Sequence, residues 1–189
     1  NCSDGWHYAR LWPLGIWNKV RIEDLPDADC GSPFISTFDS VQGTMELSLP
    51  VTVRRGRLED YTVRAIAAPK NFGGTAYGFD CPARERLYVR FDLPEFRLWY
   101  PNGRGPQNLY TLYVQILEKA SGRVVCGRAS SFGVRSLEMA PFPSGEKETQ
   151  YNRTAVINRE GIFLKGANWC TIDAMMRFDR ADYDRILSR

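Results

Sequence analysis

Between Thr44 and Val53 apolar and polar residues alternate without a break, Met45, Leu47, Leu49, Val51 and Val53 against Thr44, Glu46, Ser48 and Thr52. Successive side chains of a strand point to opposite faces, whereas a helical period would scatter these residues around the axis, so the run specifies a half-buried strand. Pro50 falls on the polar face and cannot donate to a ladder, which predicts a sheet edge or a bulge at that point. The same alternation returns in Tyr61, Val63, Ala65 and Ala67, in Leu87, Val89, Phe91 and Leu93, and in Tyr110, Leu112, Val114 and Ile116. Two further strands are expected at Val124–Cys126 and Ser131–Leu137, with Gly, Pro and Asn turns between the runs and no helical period interrupting them. The sharpest break is Pro101, Asn102, Gly103, Gly105 and Pro106, whose backbone preferences force a loop before the Tyr110 strand.

Six or seven short strands over about 105 residues fit an immunoglobulin-like antiparallel β-sandwich, placed at residues 33–138, better than a parallel α/β sheet. With 43% apolar, 25% charged and 13% aromatic residues, the 189-residue chain has ordinary globular composition and room for one full domain plus flanking pieces. The acidic, turn-rich DLPDADCGS segment at residues 24–32 reads as a linker, and MAPFPSGEKETQ marks another at residues 139–152. A net charge of +3 without a run of like charges argues against a nucleic-acid or anionic-membrane partner. Neither an apolar stretch long enough to span a bilayer nor a leader is visible. The compartment is not legible, with a periplasmic or secreted setting favoured for the parent.

No nucleophile elbow, phosphate loop or His–Glu metal motif occurs, so no cofactor and no metal are expected. The carboxylate pairs Asp80/Glu85 and Glu59/Asp60 sit in segments read as turns and are expected on the solvated surface. Five cysteines, Cys2, Cys30, Cys81, Cys126 and Cys170, are an odd number without C-x-x-C spacing and are expected to be reduced. Near the C-terminus, residues 154–161 predict a hairpin and residues 162–167 form the mostly apolar run of a buried parallel strand. A helix is then expected to start at Asp179, with Asp182 at its third position and Phe178 and Tyr183 spaced as a hydrophobic staple.

Three groups of residues carry a family resemblance. Trp99-Tyr100-Pro101-Asn102-Gly103, with Gln107 and Leu109-Tyr110, resembles the signature of the immunoglobulin-like domain of family 2 glycoside hydrolases, in their β-mannosidase and exo-glucosaminidase branch. Gly15-Ile16-Trp17 with Val20 is similar to the element that ends the sugar-binding sandwich of those enzymes. The run from Ile157 to Trp169, followed by Asp173 and Arg177, resembles the entry into their catalytic (β/α)8 barrel. The resemblance implies that residues 1–23 are the tail of a sugar-binding sandwich domain and that residues 153–189 are the first βα unit of the barrel.

It also implies roles. Asn168, Trp169 and Asp173 would line the barrel rim, where an indole face suits pyranose C–H groups and the polar pair supplies directional contacts. Trp6 and His7 stand where the mannosidase branch has a loop with an acidic, substrate-reaching residue; an imidazole lacks that carboxylate's two charged acceptors. Family 2 enzymes are retaining glycosidases whose two catalytic Glu residues lie on later barrel strands. The chain is therefore expected to be a non-catalytic piece of a hydrolase of terminal β-glycosides, with β-mannosides favoured, that contacts its sugar-binding and barrel domains. The alternative is a stand-alone carbohydrate-binding or adhesion sandwich.

Overall fold

A computed structural model describes residues 15–16, 19–141, 153–168 and 179–188. The chain divides into two compact units, Asp24–Leu164 and a second drawn from Asn1–Glu23 and Lys165–Arg189.

The larger unit is an antiparallel β-sandwich. Its first sheet contains β1 (Ala28–Cys30), β2 (Phe34–Asp39), β3 (Thr44–Val53) and β6 (Arg86–Asp92). Its second, in the order β5-β4-β7-β8, contains β4 (Tyr61–Pro69), β5 (Tyr77–Pro82), β7 (Tyr110–Glu118) and β8 (Val124–Phe132). The chain switches sheets between β3 and β4, between β5 and β6, and between β6 and β7, while β4–β5 and β7–β8 are neighbours within one sheet. A third sheet, β11-β10-β9, is built from β9 (Leu137–Pro141), β10 (Arg153–Ile157) and β11 (Glu160–Ile162).

The alternating residues become the core. Met45, Leu47, Leu49 and Val51 of β3 are buried together with Val63, Ala65 and Ala67 of β4 and Leu112, Val114 and Ile116 of β7. Removing such side chains from water, at about 25 cal/mol per Å² of apolar area, is the main term holding two amphipathic sheets face to face.

Pro50 is not at an edge. Strand β3 is the centre of its sheet, with β6 along one side and β1 and β2 sharing the other. The Val51 N–H reaches Glu85 on the β6 side, whereas the Pro50 carbonyl accepts from the Gly31 N–H at 3.0 Å on the opposite side. Backbone groups alternate sides along a strand, so the proline nitrogen faces the junction where β1 gives way to β2 and no ladder donor is needed. Gly31 lies against the ring there, where a Cβ would stand 2.7 Å from Pro50 Cγ.

Four other readings differ from the structure. Residues 28–30, read as linker, form β1, because Ala28 and Cys30 are buried and pair with Val53 and Val51. Strand β5 falls where a turn was read: Tyr77, Phe79 and Cys81 turn inward, but Gly78, Asp80 and Pro82 hide the alternation. The strand read at 124–126 runs on to Phe132 as β8, so of the segment read as a second strand at 131–137 only its first two residues belong to it and Leu137 opens β9. Residues 163–168 have no regular structure, and Phe163 is 81% exposed; a doubly buried parallel strand needs neighbours on both sides, and the described residues supply none.

The expected hairpin is present as β10–β11, with Ile157 opposite Glu160. Its two central residues, Asn158 and Arg159, have φ of 50° and 72°. This left-handed pair suits a twisted two-residue hairpin, where asparagine is at home but glycine is the usual second residue. Arg159→Gly should therefore raise the unfolding free energy by about 1 kcal/mol in urea denaturation; an unshifted midpoint would mean that the arginine side chain offsets the backbone strain.

In the second unit, α1 (Arg180–Leu187) starts as expected. Asp179 accepts from the Asp182 N–H at 3.0 Å and Asp182 accepts from the Asp179 N–H at 3.4 Å, which satisfies two of the free donors at the helix start. Phe178 lies outside the described residues. Among those residues no helix is long and apolar enough to cross a membrane.

Candidate functional site

The loop before β7 is a fastened element. Leu98 forms a parallel bridge with Val134 and Trp99 an antiparallel bridge with Gln107. The Trp99 N–H donates to Val134 O at 2.8 Å and the Tyr100 N–H to Pro106 O at 3.0 Å, so the Gly/Pro turn closes on its own backbone. Gly105, at φ 158°, lets the chain pass the Tyr100 ring, where a Cβ would meet Cγ at 2.8 Å.

Three asparagines tie this loop down. Asn108 Nδ2 donates to Leu98 O at 2.9 Å. The Asn71 side chain donates to Gln107 O and accepts from the Leu109 N–H, at 2.7 and 2.8 Å. Asn158, at the hairpin turn, donates from Nδ2 to Trp99 O at 2.9 Å and accepts the Ser136 N–H at 3.0 Å. Buried Tyr110, which ends the loop, stacks on Phe132 at 5.3 Å between ring centroids and accepts the Arg97 N–H at its hydroxyl. Trp99 is half-buried, its ring under the Arg135 guanidinium at 5.0 Å. The loop thus ties together Phe132 of β8, the β8–β9 connection at Val134 and the turn of the β10–β11 hairpin. The Gln107 side chain is exposed, and the asparagines supply the bonds across the turn.

Of the expected sugar contacts, Asn168 is described and is exposed, outside any strand or helix. Trp169, Asp173, Trp6 and His7 lie outside the described residues. Of the four carboxylates that could suggest acid–base chemistry, Asp80, Glu59 and Asp60 are engaged. Asp80 receives both Arg64 Nε and Nη2 at 2.8 Å, and hydrogen bonding to that guanidinium holds its carboxyl below the usual range. A general acid needs the opposite shift. Glu59 pairs with Arg57 at 3.2 Å on the surface, and Asp60 accepts the Arg57 N–H.

An open groove of about 890 Å³ runs between β5 and β6, with Tyr77, Phe79, Phe91 and Phe96 in its lining. Tyr77 and Phe91 are stacked at 6.0 Å, and Asp92 accepts from the Thr44 hydroxyl. It presents apolar faces, and its Asp80 and Asp92 carboxylates are bonded to Arg64 and Thr44.

At the opposite edge, where β1 meets β8, a cluster appears that the reading of residues 24–32 as linker concealed. Asp29 Oδ1 accepts from the Cys30 N–H at 2.8 Å, Cys126 Sγ at 3.0 Å and Arg128 Nη2 at 3.0 Å. Burial alone would raise the Asp29 pKa, but these bonds and the Arg128 charge outweigh it, and the net shift is downward. Burial, with the neighbouring Cys126, pushes the Cys30 thiol up to about 12. Asp29, Cys30 and Cys126 offer three donors within 4.8 Å, the geometry of a partial metal site. The guanidinium on the carboxylate and the un-ionised thiol of Cys30 both oppose a cation there.

Because the folded pKa of Asp29 is lowered, its stabilising contribution is present above the unfolded value of about 3.9 and is lost as pH falls through the folded one. The chain should melt higher than Asp29→Asn at pH 7, and the gap should close as pH drops below about 4. A gap independent of pH would assign the effect to packing.

The comparisons agree with this architecture. A β-mannosidase B of Emericella nidulans is 33% identical over 177 residues, and one of Aspergillus terreus is 26% identical over 186 residues. Each alignment covers 91% of this chain and 20% of the relative, so the chain spans about a fifth of the length of these proteins. An exo-chitosanase crystal structure from Amycolatopsis orientalis superposes over 86% of this chain and 18% of its own, with a TM-score of 0.53 at 21% identity, a likeness of fold. No family model matches the chain. The fold is the antiparallel sandwich of the immunoglobulin-like kind that the strand pattern predicts. These likenesses support a segment of the family 2 glycoside hydrolase architecture, similar to part of the β-mannosidases above.

Proposed function

We propose that the chain is the non-catalytic brace of a retaining hydrolase that removes terminal β-linked sugars, β-mannosides foremost, and that the 189 residues alone are inactive. The observation that carries this is the 33% identity to a β-mannosidase B over 91% of the chain, more than the 24–164 unit alone. The fastened loop supports it. Leu98–Tyr110 is held to Phe132 of β8, to Val134 in the β8–β9 connection and to Asn158 of the β10–β11 hairpin, so the sandwich and the strand pair that continues towards residue 165 would move as one body. Such a body suits a spacer between a sugar-binding domain and a barrel. Asn168, Trp169, Asp173, Trp6 and His7 remain the proposed sugar contacts in the parent.

Double displacement needs two carboxyl groups about 5 Å apart, one of them with a raised pKa. Asp80 and Glu59 are paired with arginines and Asp60 with a backbone donor instead. Incubated with aryl β-mannosides, β-glucosaminides and β-galactosides, the chain should release no more aglycone than buffer. The full-length parent should cleave the mannoside best. Turnover by the chain that survives repurification would overturn the inactive brace, and a parent that prefers galactosides would overturn the mannoside assignment.

A further inference from the structure

We propose that Cys30 and Cys126 are a disulfide-forming pair, a covalent clasp between the two sheets of the sandwich that a small-molecule disulfide can install. Cys30 is in β1, paired through Val51 to the first sheet, and Cys126 is in β8, paired through Ile116 to the second. Their sulfurs are 3.9 Å apart, and both thiols are free. No ladder joins these strands, but Arg128 of β8 reaches across to the Cys30 carbonyl at 3.2 Å and to Asp29 at 3.0 Å, which fixes the approach of the two backbones.

Closing the pair to a bond of about 2.05 Å asks for a side-chain rotation at half-buried Cys126, not a strand shift. That freedom is at hand, because the β7–β8 register slips between Ile116 and Leu117, beside the partner of Cys126. Cys81 is on β5, at the far edge of the second sheet from β8, so it does not compete.

The exchange balances in two steps. The Cys126 thiolate attacks one sulfur of an oxidised small disulfide, forms a mixed disulfide and expels one small thiolate. The Cys30 thiolate then attacks the Cys126 sulfur and expels the second. The two protein sulfurs are oxidised by two electrons, the small disulfide is reduced to two thiols, and the two protein protons finish on those leaving groups. Cys126 is the more accessible first attacker, whereas Cys30 must ionise against burial, so the second step should accelerate with pH.

The test uses the 189-residue chain with Cys2, Cys81 and Cys170 replaced by Ser, treated with oxidised glutathione at pH 8.5. Both remaining thiols should be lost to alkylation, and a peptide pair joined through Cys30 and Cys126 should appear on mass mapping. The melting temperature should rise by on the order of 10 °C and fall back on reduction. The same cross-linked peptide should be recovered from the unsubstituted chain, which keeps the result independent of how well the triple variant folds. Adding Cys126→Ser should abolish the cross-link and the rise. Glutathione held on Cys126 with Cys30 still alkylatable, a cross-link between other cysteines, or a cross-link without a rise in melting temperature would each overturn the clasp.

Discussion

Asn158→Ala is expected to lower the stability of the 24–164 unit by about 2–4 kcal/mol, a large part of what a domain of this size possesses. Two causes add. The substitution takes the donor from the Trp99 carbonyl and the acceptor from the Ser136 N–H, both in partly buried surroundings, and each group left without a partner costs about 1–3 kcal/mol when water cannot replace it. It also places a Cβ-bearing residue without a local hydrogen bond at φ 50°, a conformation that disfavours alanine by about 1 kcal/mol. Asn158→Gly separates the causes. Glycine keeps the turn and loses both bonds, so its loss should be smaller than that of alanine by the backbone contribution alone. Urea denaturation of the two variants measures both, and a glycine variant as stable as the parent chain would show that the side-chain bridge contributes nothing.

That bridge marks how far the sequence could be read. The strict two-residue period of β3, β4, β6 and β7 was sufficient to place the sandwich, because burial acts on every second residue and leaves a pattern in the chain itself. Strand β1 left too little pattern, since three residues beside Asp27 and Gly31 look like a turn until β3 is there to cover them. Pro50 was misplaced for a related reason. A proline excludes one hydrogen bond on one side, and which side that is depends on where two other strands meet. The site was legible in part. Pro101, Asn102, Gly103, Gly105 and Pro106 announced a loop, but the asparagines that fasten it, Asn71, Asn108 and Asn158, act across 10 to 59 residues of sequence. An isolated asparagine carries no spacing signal for such bonds. The pairing of Cys30 with Cys126 spans 96 residues and is equally silent.

Gly133→Ala is expected to destabilise the same unit by about 2–3 kcal/mol, near the upper range for overpacking a fitted contact. A Cβ at Gly133 would stand 2.6 Å from Trp99 Cβ and 2.7 Å from Cγ, the stiff root of the side chain, where a rotamer change gives no relief. The backbones cannot easily part, because the Trp99 N–H is bonded to Val134 O and Leu98 is bridged to Val134. Trp99→Ala alone should cost about 2 kcal/mol, less than the 3–5 kcal/mol of a fully buried tryptophan, because the ring is half-buried and its remaining contact with Arg135 is a surface one. Truncation to alanine leaves the Trp99 Cβ in place while removing Cγ and Cδ1, so part of the clash persists in the double variant. The two losses should therefore fall short of additivity by about 1 kcal/mol in a double-mutant cycle, and Trp99→Gly, which removes the Cβ as well, should absorb most of the Gly133→Ala penalty. Strict additivity in both cycles would mean that Gly133 is set by its own backbone and not by the tryptophan laid across it.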